Sequence, residues 1–84
     1  MLEFFKELDE RKTQLQNAGA ENIQGYTLVN NSGYTFDKNS VHYDLRHWLN
    51  CYGADVDYYT LYSAETGFKT FDTFEQAIDY IAMI

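Results

Sequence analysis

The chain has 84 residues, which is enough for one small domain with a single core and too few for a separate catalytic domain. Hydrophobic residues make up 45% of it and aromatic residues 18%, which excludes a disordered chain. Thirteen carboxylates oppose six lysines and arginines, and the net charge of −7 argues against direct binding to DNA, RNA or an anionic membrane.

The remaining composition points to a soluble cytoplasmic domain spanning residues 1–84. A single cysteine, Cys51, has no partner for an internal disulfide. The first residues lack the basic and apolar regions of a secretory signal, and no apolar run approaches the ~20 residues of a membrane span.

The first predicted element is a helix over residues 2–18. Phe4, Phe5, Leu8 and Leu15 form an apolar stripe at helical spacing, and Gly19 is placed to end the helix in a left-handed conformation.

A first ββα unit is predicted over residues 23–52. Residues 23–29 alternate as a strand does, the Asn- and Gly-rich residues 30–33 favour a turn, and residues 34–36 form the return strand. A helix over residues 41–52 follows, because one helical face would collect its large apolar side chains: Val41, Leu45, Trp48, Leu49 and Tyr52.

A second ββα unit is predicted over residues 55–84. Residues 55–62 and 68–71 are rich in aromatic and β-branched residues and flank a turn that ends at Gly67. A helix then begins at Asp72, whose side chain would form a capping box with Glu75.

Tyr-Thr-Leu occurs at 26–28 and again at 59–61, a spacing of thirty-three residues, and this match indicates either a duplicated unit or a chance similarity between two ββα segments. We therefore predict an α+β fold of order αββαββα, in which two helices cover one face of a four-stranded antiparallel sheet. Tyr58 and Tyr62 would share one face of their strand and Tyr59 the other, so one of these sets would lie open.

Catalytic and metal-binding patterns are weak in this sequence. Asp44, His47 and Cys51 would share one flank of the predicted middle helix, but a zinc site needs a second pair of ligands that the sequence lacks. His42 and His47 would point in different directions, so neither completes a Cys51 nucleophile. We expect no enzyme, metal site or cofactor.

A binding surface is the better expectation. Eight tyrosines, six phenylalanines and one tryptophan exceed what one small core readily buries, and tyrosine is common at protein interfaces. Carboxylates beside such rings suit a basic partner, for example a nucleic-acid-handling protein. The candidate partner-binding residues lie along and beside the strand near residue 60: Asp55, Asp57, Tyr58, Tyr59, Tyr62 and Glu65.

In size, acidity and lack of a catalytic motif, the chain resembles small acidic proteins of phages and mobile elements that block host defence, namely anti-CRISPR and anti-restriction inhibitors. The resemblance implies a protein that binds a CRISPR effector or restriction enzyme as a nucleic-acid mimic and occludes its DNA or RNA channel. The alternative is a structural or regulatory module of a phage or bacterium that self-associates through an open sheet face or an edge strand. The two alternatives predict a monomer and a homodimer, respectively.

Overall fold

The computed structural model describes residues 2–29, 31–49 and 56–84, with side chains from residue 10 onward. These residues form two helices and a five-stranded antiparallel sheet in the order β1-β2-β3-β4-β5. The predicted αββαββα order with a four-stranded sheet is therefore wrong. In chain order the elements are α1 (Leu2–Asn17), β1 (Glu21–Thr27), β2 (Asn31–Lys38), β3 (Val41–Leu49), β4 (Asp57–Ser63), β5 (Gly67–Phe71) and α2 (Phe74–Met83).

The error lies in the middle of the chain, where the predicted helix 41–52 is instead the central strand β3. Asn39 and Ser40 have φ angles of 54° and 66°, and they connect Lys38 directly to its partner Val41 in a two-residue hairpin turn. After this turn, the side chains of β3 alternate between the two faces of the sheet. Residues 50–52 of the predicted helix lie outside the described part of the chain.

The first predicted ββα unit is also wrong, because it contains no helix within residues 23–29 and 31–49. The matching tripeptides differ in orientation as well. Tyr26 lies on the side of the sheet away from the helices, where it bonds to Asp44, whereas Tyr59 is buried beneath Arg11 and Phe74 on the helical side.

The elements at the two ends of the chain agree better with the sequence. Gly19 follows α1 with a φ of 98°, as expected for a left-handed helix end. The N-cap of α2 is Thr73 and not Asp72: the Thr73 side chain accepts a hydrogen bond from the Gln76 amide. The Gln76 side chain in turn accepts a hydrogen bond from the backbone N–H of Asp72. The capping box is therefore displaced by one residue from the predicted position and uses Gln76 instead of Glu75.

The core lies between the two helices and one face of the sheet, which we call the covered face. The sheet contributes Tyr34, Phe36, Tyr43, Leu45, Tyr59 and Leu61, and the helices and the α1–β1 connection contribute Leu15, Ala18, Ala20, Phe74, Ala77 and Ile81. These residues alternate along each strand with residues of the opposite face. Neither described helix is long and apolar enough to cross a membrane.

The two helices run in the same direction across the covered face. The Arg11 guanidinium lies 4.9 Å from the Phe74 ring centroid, and seven residues later in both helical segments Lys38 bonds to the carbonyl groups of Ala18 and Ile81. Their C-terminal ends therefore meet at the end of the sheet where β2 turns into β3.

Candidate functional site: the open face of the sheet

The opposite face of the sheet, which we call the open face, carries a group of aromatic side chains. Tyr58 and Trp48 are half-buried, whereas Tyr62 and Phe68 are 41% and 71% exposed. Tyr58 and Tyr62 occupy alternate positions of β4, and Trp48 and Phe68 are their cross-strand partners on β3 and β5. Strand pairing thus builds two aromatic pairs on one surface.

The more exposed pair is Tyr62 with Phe68. Their ring centroids are 4.6 Å apart at an interplanar angle of 39°. Thr60 and Thr70 follow on the same face and present only short side chains. The two rings therefore project from the open face near β5. Their surface is apolar except for the Tyr62 hydroxyl.

The second pair is held more firmly. The rings of Trp48 and Tyr58 stack with centroids 6.4 Å apart and an angle of 16°. The Trp48 indole nitrogen donates a hydrogen bond of 2.9 Å to the Thr60 hydroxyl. Because the polar atom of the indole is bonded within the sheet, the accessible part of Trp48 is mainly ring surface.

Arg46 joins this pair to β1. Its Nε donates a hydrogen bond of 2.9 Å to the Tyr26 hydroxyl, and its Nη2 lies 3.2 Å from Asp44 Oδ2. The guanidinium also lies over two rings, 5.6 Å from the centroid of Tyr26 and 5.2 Å from that of Trp48. Arg46 therefore links Tyr26, Asp44 and Trp48 within the open face, through cation–π contacts and one ion pair.

The hydroxyl of Tyr26 completes the network by donating a hydrogen bond of 2.6 Å to Asp44 Oδ1. Burial, followed by this bond to a carboxylate, raises the pKa of Tyr26 to about 12. The hydrogen bond that Arg46 donates to the Tyr26 hydroxyl is the main cause of a raised pKa for Arg46. The Asp44 carboxylate and the Arg46 guanidinium form an ion pair, so the network adds little net charge to the open face.

Gly33 creates the space for this network. A Cβ at position 33 would overlap the Leu45 carbonyl oxygen and lie 2.8 Å from the Tyr26 hydroxyl. Tyr26 can cross the sheet toward Asp44 only because its direct strand partner has no side chain.

The structure brings together only part of the predicted partner-binding set. Tyr58 and Tyr62 share the open face, but Tyr59 lies on the covered face with 6% exposure. Asp57 begins β4, Glu65 lies in the turn beyond its other end, and Asp55 lies outside the described residues. The described carboxylates of this set therefore do not surround the two open tyrosines.

Tyr59 and Asp57 belong to a different cluster, at the end of the covered face. Arg11 Nη2 donates a hydrogen bond of 3.0 Å to the Tyr59 hydroxyl, and His47 stacks on the Tyr59 ring at 4.2 Å. His47 Nε2 is 2.7 Å from Asp57 Oδ1. Burial raises the pKa of Tyr59, against the opposing effect of Arg11. The adjoining cavity of about 30 Å³ has room for water but not for a substrate.

Comparison with protein-family models, with curated proteins and with solved structures finds no match to this chain.

Several open-face residues were missing from the sequence-based set: Tyr26, Arg46, Trp48 and Phe68. Placing residues 41–52 in a helix separated Trp48 from Tyr58, although they are direct cross-strand partners. The alternation Val41-His42-Tyr43-Asp44-Leu45-Arg46 was the signal that would have placed Arg46 and Trp48 on one sheet face.

The possible metal ligands also separate once residues 41–49 form a strand. Asp44 and His47 lie on opposite faces of β3, and Cys51 is outside the described residues. Within residues 2–29, 31–49 and 56–84, no three His, Cys, Asp or Glu side chains are grouped as metal ligands.

Proposed function

We propose that this chain is a non-catalytic protein-binding inhibitor that docks the open face of its sheet on a basic, nucleic-acid-handling protein, such as a CRISPR effector or a restriction enzyme. The observation that carries the proposal is the exposed ring pair of Tyr62 and Phe68 beside the half-buried pair of Trp48 and Tyr58.

The open face has the character of a protein contact surface. Asp44 forms an ion pair with Arg46, and Asp37 Oδ1 lies 2.7 Å from His42 Nδ1, so a partner meets mainly rings and threonine hydroxyls. Aromatic anchors that lose water on binding supply most of the affinity in many protein interfaces. Among the aromatic rings of Tyr26, Trp48, Tyr58, Tyr62 and Phe68 on this face, those of Tyr62 and Phe68 are the most exposed and have the most surface left to bury.

The charge of the chain favours a basic partner. Arg11, Lys38, Arg46 and Lys69 lie over the protein's own rings or bond to its own carbonyl groups. Among the described residues, several exposed carboxylates form no ion pair with a cation: Glu10, Glu21, Glu65, Asp72, Glu75 and Asp79. The field outside a chain of net charge −7 is therefore negative, which steers a basic protein toward it and repels nucleic acid.

In this proposal, the aromatic rings of the open face contact the partner directly, and the carboxylates attract it mainly through their long-range electric field. The described carboxylates without ion pairs lie in turns, on the edge strand β1 and on the helices, not among the open rings. The partner's channel is then blocked by the bound domain itself, and close replacement of phosphates by carboxylates contributes less.

The test is inhibition of DNA cleavage by a panel of purified CRISPR effector nucleases and restriction endonucleases. We expect the wild-type protein to inhibit at least one enzyme and the double variant Tyr62→Ser/Phe68→Ser to inhibit it about tenfold more weakly or worse. Both side chains are exposed, so we expect the double variant to keep the fold, which its circular dichroism spectrum checks. Met83→Ser is the matched control, because Met83 is 79% exposed on α2, away from the open face.

Inhibition that Tyr62→Ser/Phe68→Ser leaves intact would contradict docking through the open face, and no inhibition across the panel would contradict the partner class. Light scattering at several concentrations distinguishes the self-associating alternative. A stable homodimer that the same double variant dissociates would assign the open face to a second copy of the chain.

A further inference from the structure

A groove of about 250 Å³ lies between α1 and α2, on the side of the helix pair that faces away from the sheet. Ala18, Ile78 and Ala82 contribute its apolar surface. Polar side chains stand along the two rims: Gln14 and Asn17 on α1, and Glu75 and Asp79 on α2. The groove is thus apolar inside, neutral and polar on one rim, and acidic on the other.

The helix pair already holds one lysine. From the sheet side, Lys38 reaches between the two C-terminal ends, and its Nζ binds the carbonyl oxygens of Ala18 and Ile81 at 2.8 and 2.5 Å. Both helices present the negative ends of their dipoles there, and neither carries a basic residue in its last turn. The C-terminal end of the helix pair therefore favours the binding of an ammonium group.

On the outer side the acidic rim has no such partner among the described residues. Glu75 and Asp79 are one helical turn apart, both are exposed, and neither forms an ion pair within the described part of the chain. A lysine side chain suits this arrangement, since its aliphatic stem can cover Ile78 and Ala82 while its ammonium group reaches the carboxylates.

We infer that the groove between α1 and α2 binds lysine side chains of a basic segment of a partner protein. This site is on the opposite side of the molecule from the open face. It rests on the proposed function only for the class of partner, and it gives that partner a second contact whose specificity comes from charge.

The probe is an acetylated and amidated pentalysine peptide, titrated into the full chain at low ionic strength. NMR locates the site and calorimetry measures the affinity. We expect the largest shifts at the methyl groups of Ala18, Ile78 and Ala82. Glu75→Gln/Asp79→Asn should weaken binding about tenfold, whereas Glu21→Gln/Glu65→Gln, which removes the same charge elsewhere, should change it less than about twofold.

Equal weakening by the two double variants would overturn the groove site, because it would show general attraction to an acidic protein. Shifts spread over every exposed carboxylate would overturn it as well. A parallel titration with spermidine separates the two sources of ammonium groups: if spermidine binds the same methyl groups as tightly as pentalysine does, the occupant is a small polyamine and the protein segment is excluded.

The same titration on Tyr62→Ser/Phe68→Ser separates this inference from the proposed function. Pentalysine binding should be unchanged in that variant, because the open face lies across the sheet from the groove. Loss of binding there would place the probe on the open face and overturn the groove site. Failure of nuclease inhibition with retained pentalysine binding would remove the inhibitor proposal alone.

Discussion

Lys38 Nζ donates a hydrogen bond of 2.5 Å to the carbonyl oxygen of Ile81, forty-three residues later in the chain. The same ammonium group donates a hydrogen bond to the carbonyl oxygen of Ala18, so one side chain from β2 caps the C-terminal ends of both helices. Parallel neighbouring helices place dipole ends of like sign together, and a cation at this point offsets that repulsion.

Replacing this lysine tests how much the helix pair depends on it. Lys38→Met keeps the aliphatic stem but removes the ammonium group, and we expect the free energy of unfolding to fall by about 2 kcal/mol, since charged hydrogen bonds to buried carbonyls are lost. Urea denaturation measures the change. Lys69→Met is the control, because Lys69 is exposed and its Nζ contacts the Tyr80 ring, at 5.2 Å from the centroid. We expect this substitution to lower the free energy of unfolding by only about 0.5 kcal/mol.

Gly33 gives a second test, aimed at the open face. The Cβ of Gly33→Ala would overlap the Leu45 carbonyl oxygen and approach the Tyr26 hydroxyl, so we expect a loss of about 1–3 kcal/mol in unfolding free energy. Trp48 fluorescence should also change, because Arg46 connects Tyr26 to the indole. Gly25→Ala, whose Cβ would meet Tyr34 at an ordinary 3.5 Å, should be neutral or stabilising. Equal effects of the two substitutions would contradict a specific role for Gly33.

The sequence was informative where local signals and tertiary structure agree. The N-terminal helix, the hairpin of β4 and β5 and the final helix follow from apolar periodicity, Gly67 and a helix start that the sequence places at Asp72, one residue before the N-cap Thr73. It misled at residues 41–49, where Val41, Leu45 and Trp48 satisfy a helical period while residues 41–46 also alternate as a strand. The Asn39-Ser40 turn decides between them, because it returns the chain alongside β2.

The same error explains why the sequence identifies only half of the aromatic group on the open face. Tyr58 and Tyr62 could be assigned to one face from β4 alone, but Trp48 and Phe68 join them only through strand pairing. The separation of rings from carboxylates could not be predicted, since it depends on which face the helices cover.

The turn at Asn39 and Ser40 can be tested directly. Ser40 has a φ of 66°, a strained conformation for a residue with a Cβ, and Asn-Gly is the preferred pair for such a turn. Ser40→Gly should therefore raise the free energy of unfolding by about 0.5 kcal/mol. Ser32→Gly, inside the β2 ladder, should lower it by about 0.5–1 kcal/mol. Destabilisation by both substitutions would argue against this turn and for a helix beginning at residue 41.

The phenol of Tyr26 gives the last test, through its titration. Its pKa is raised from 10.0 to about 12, first by burial and then by its bond to Asp44, so it should ionise later than an unperturbed tyrosine in an absorbance titration. Because the folded pKa exceeds the unfolded one, the protonated phenol contributes stability that is complete below pH 10 and is lost as the pH rises toward about 12. Tyr43 and Tyr59, whose pKa values burial also raises, add to the loss in the same direction. Tyr26→Phe should flatten the decline in unfolding free energy over this range, and a decline identical to that of the wild type would show that the hydrogen bond to Asp44 does not hold the proton in solution.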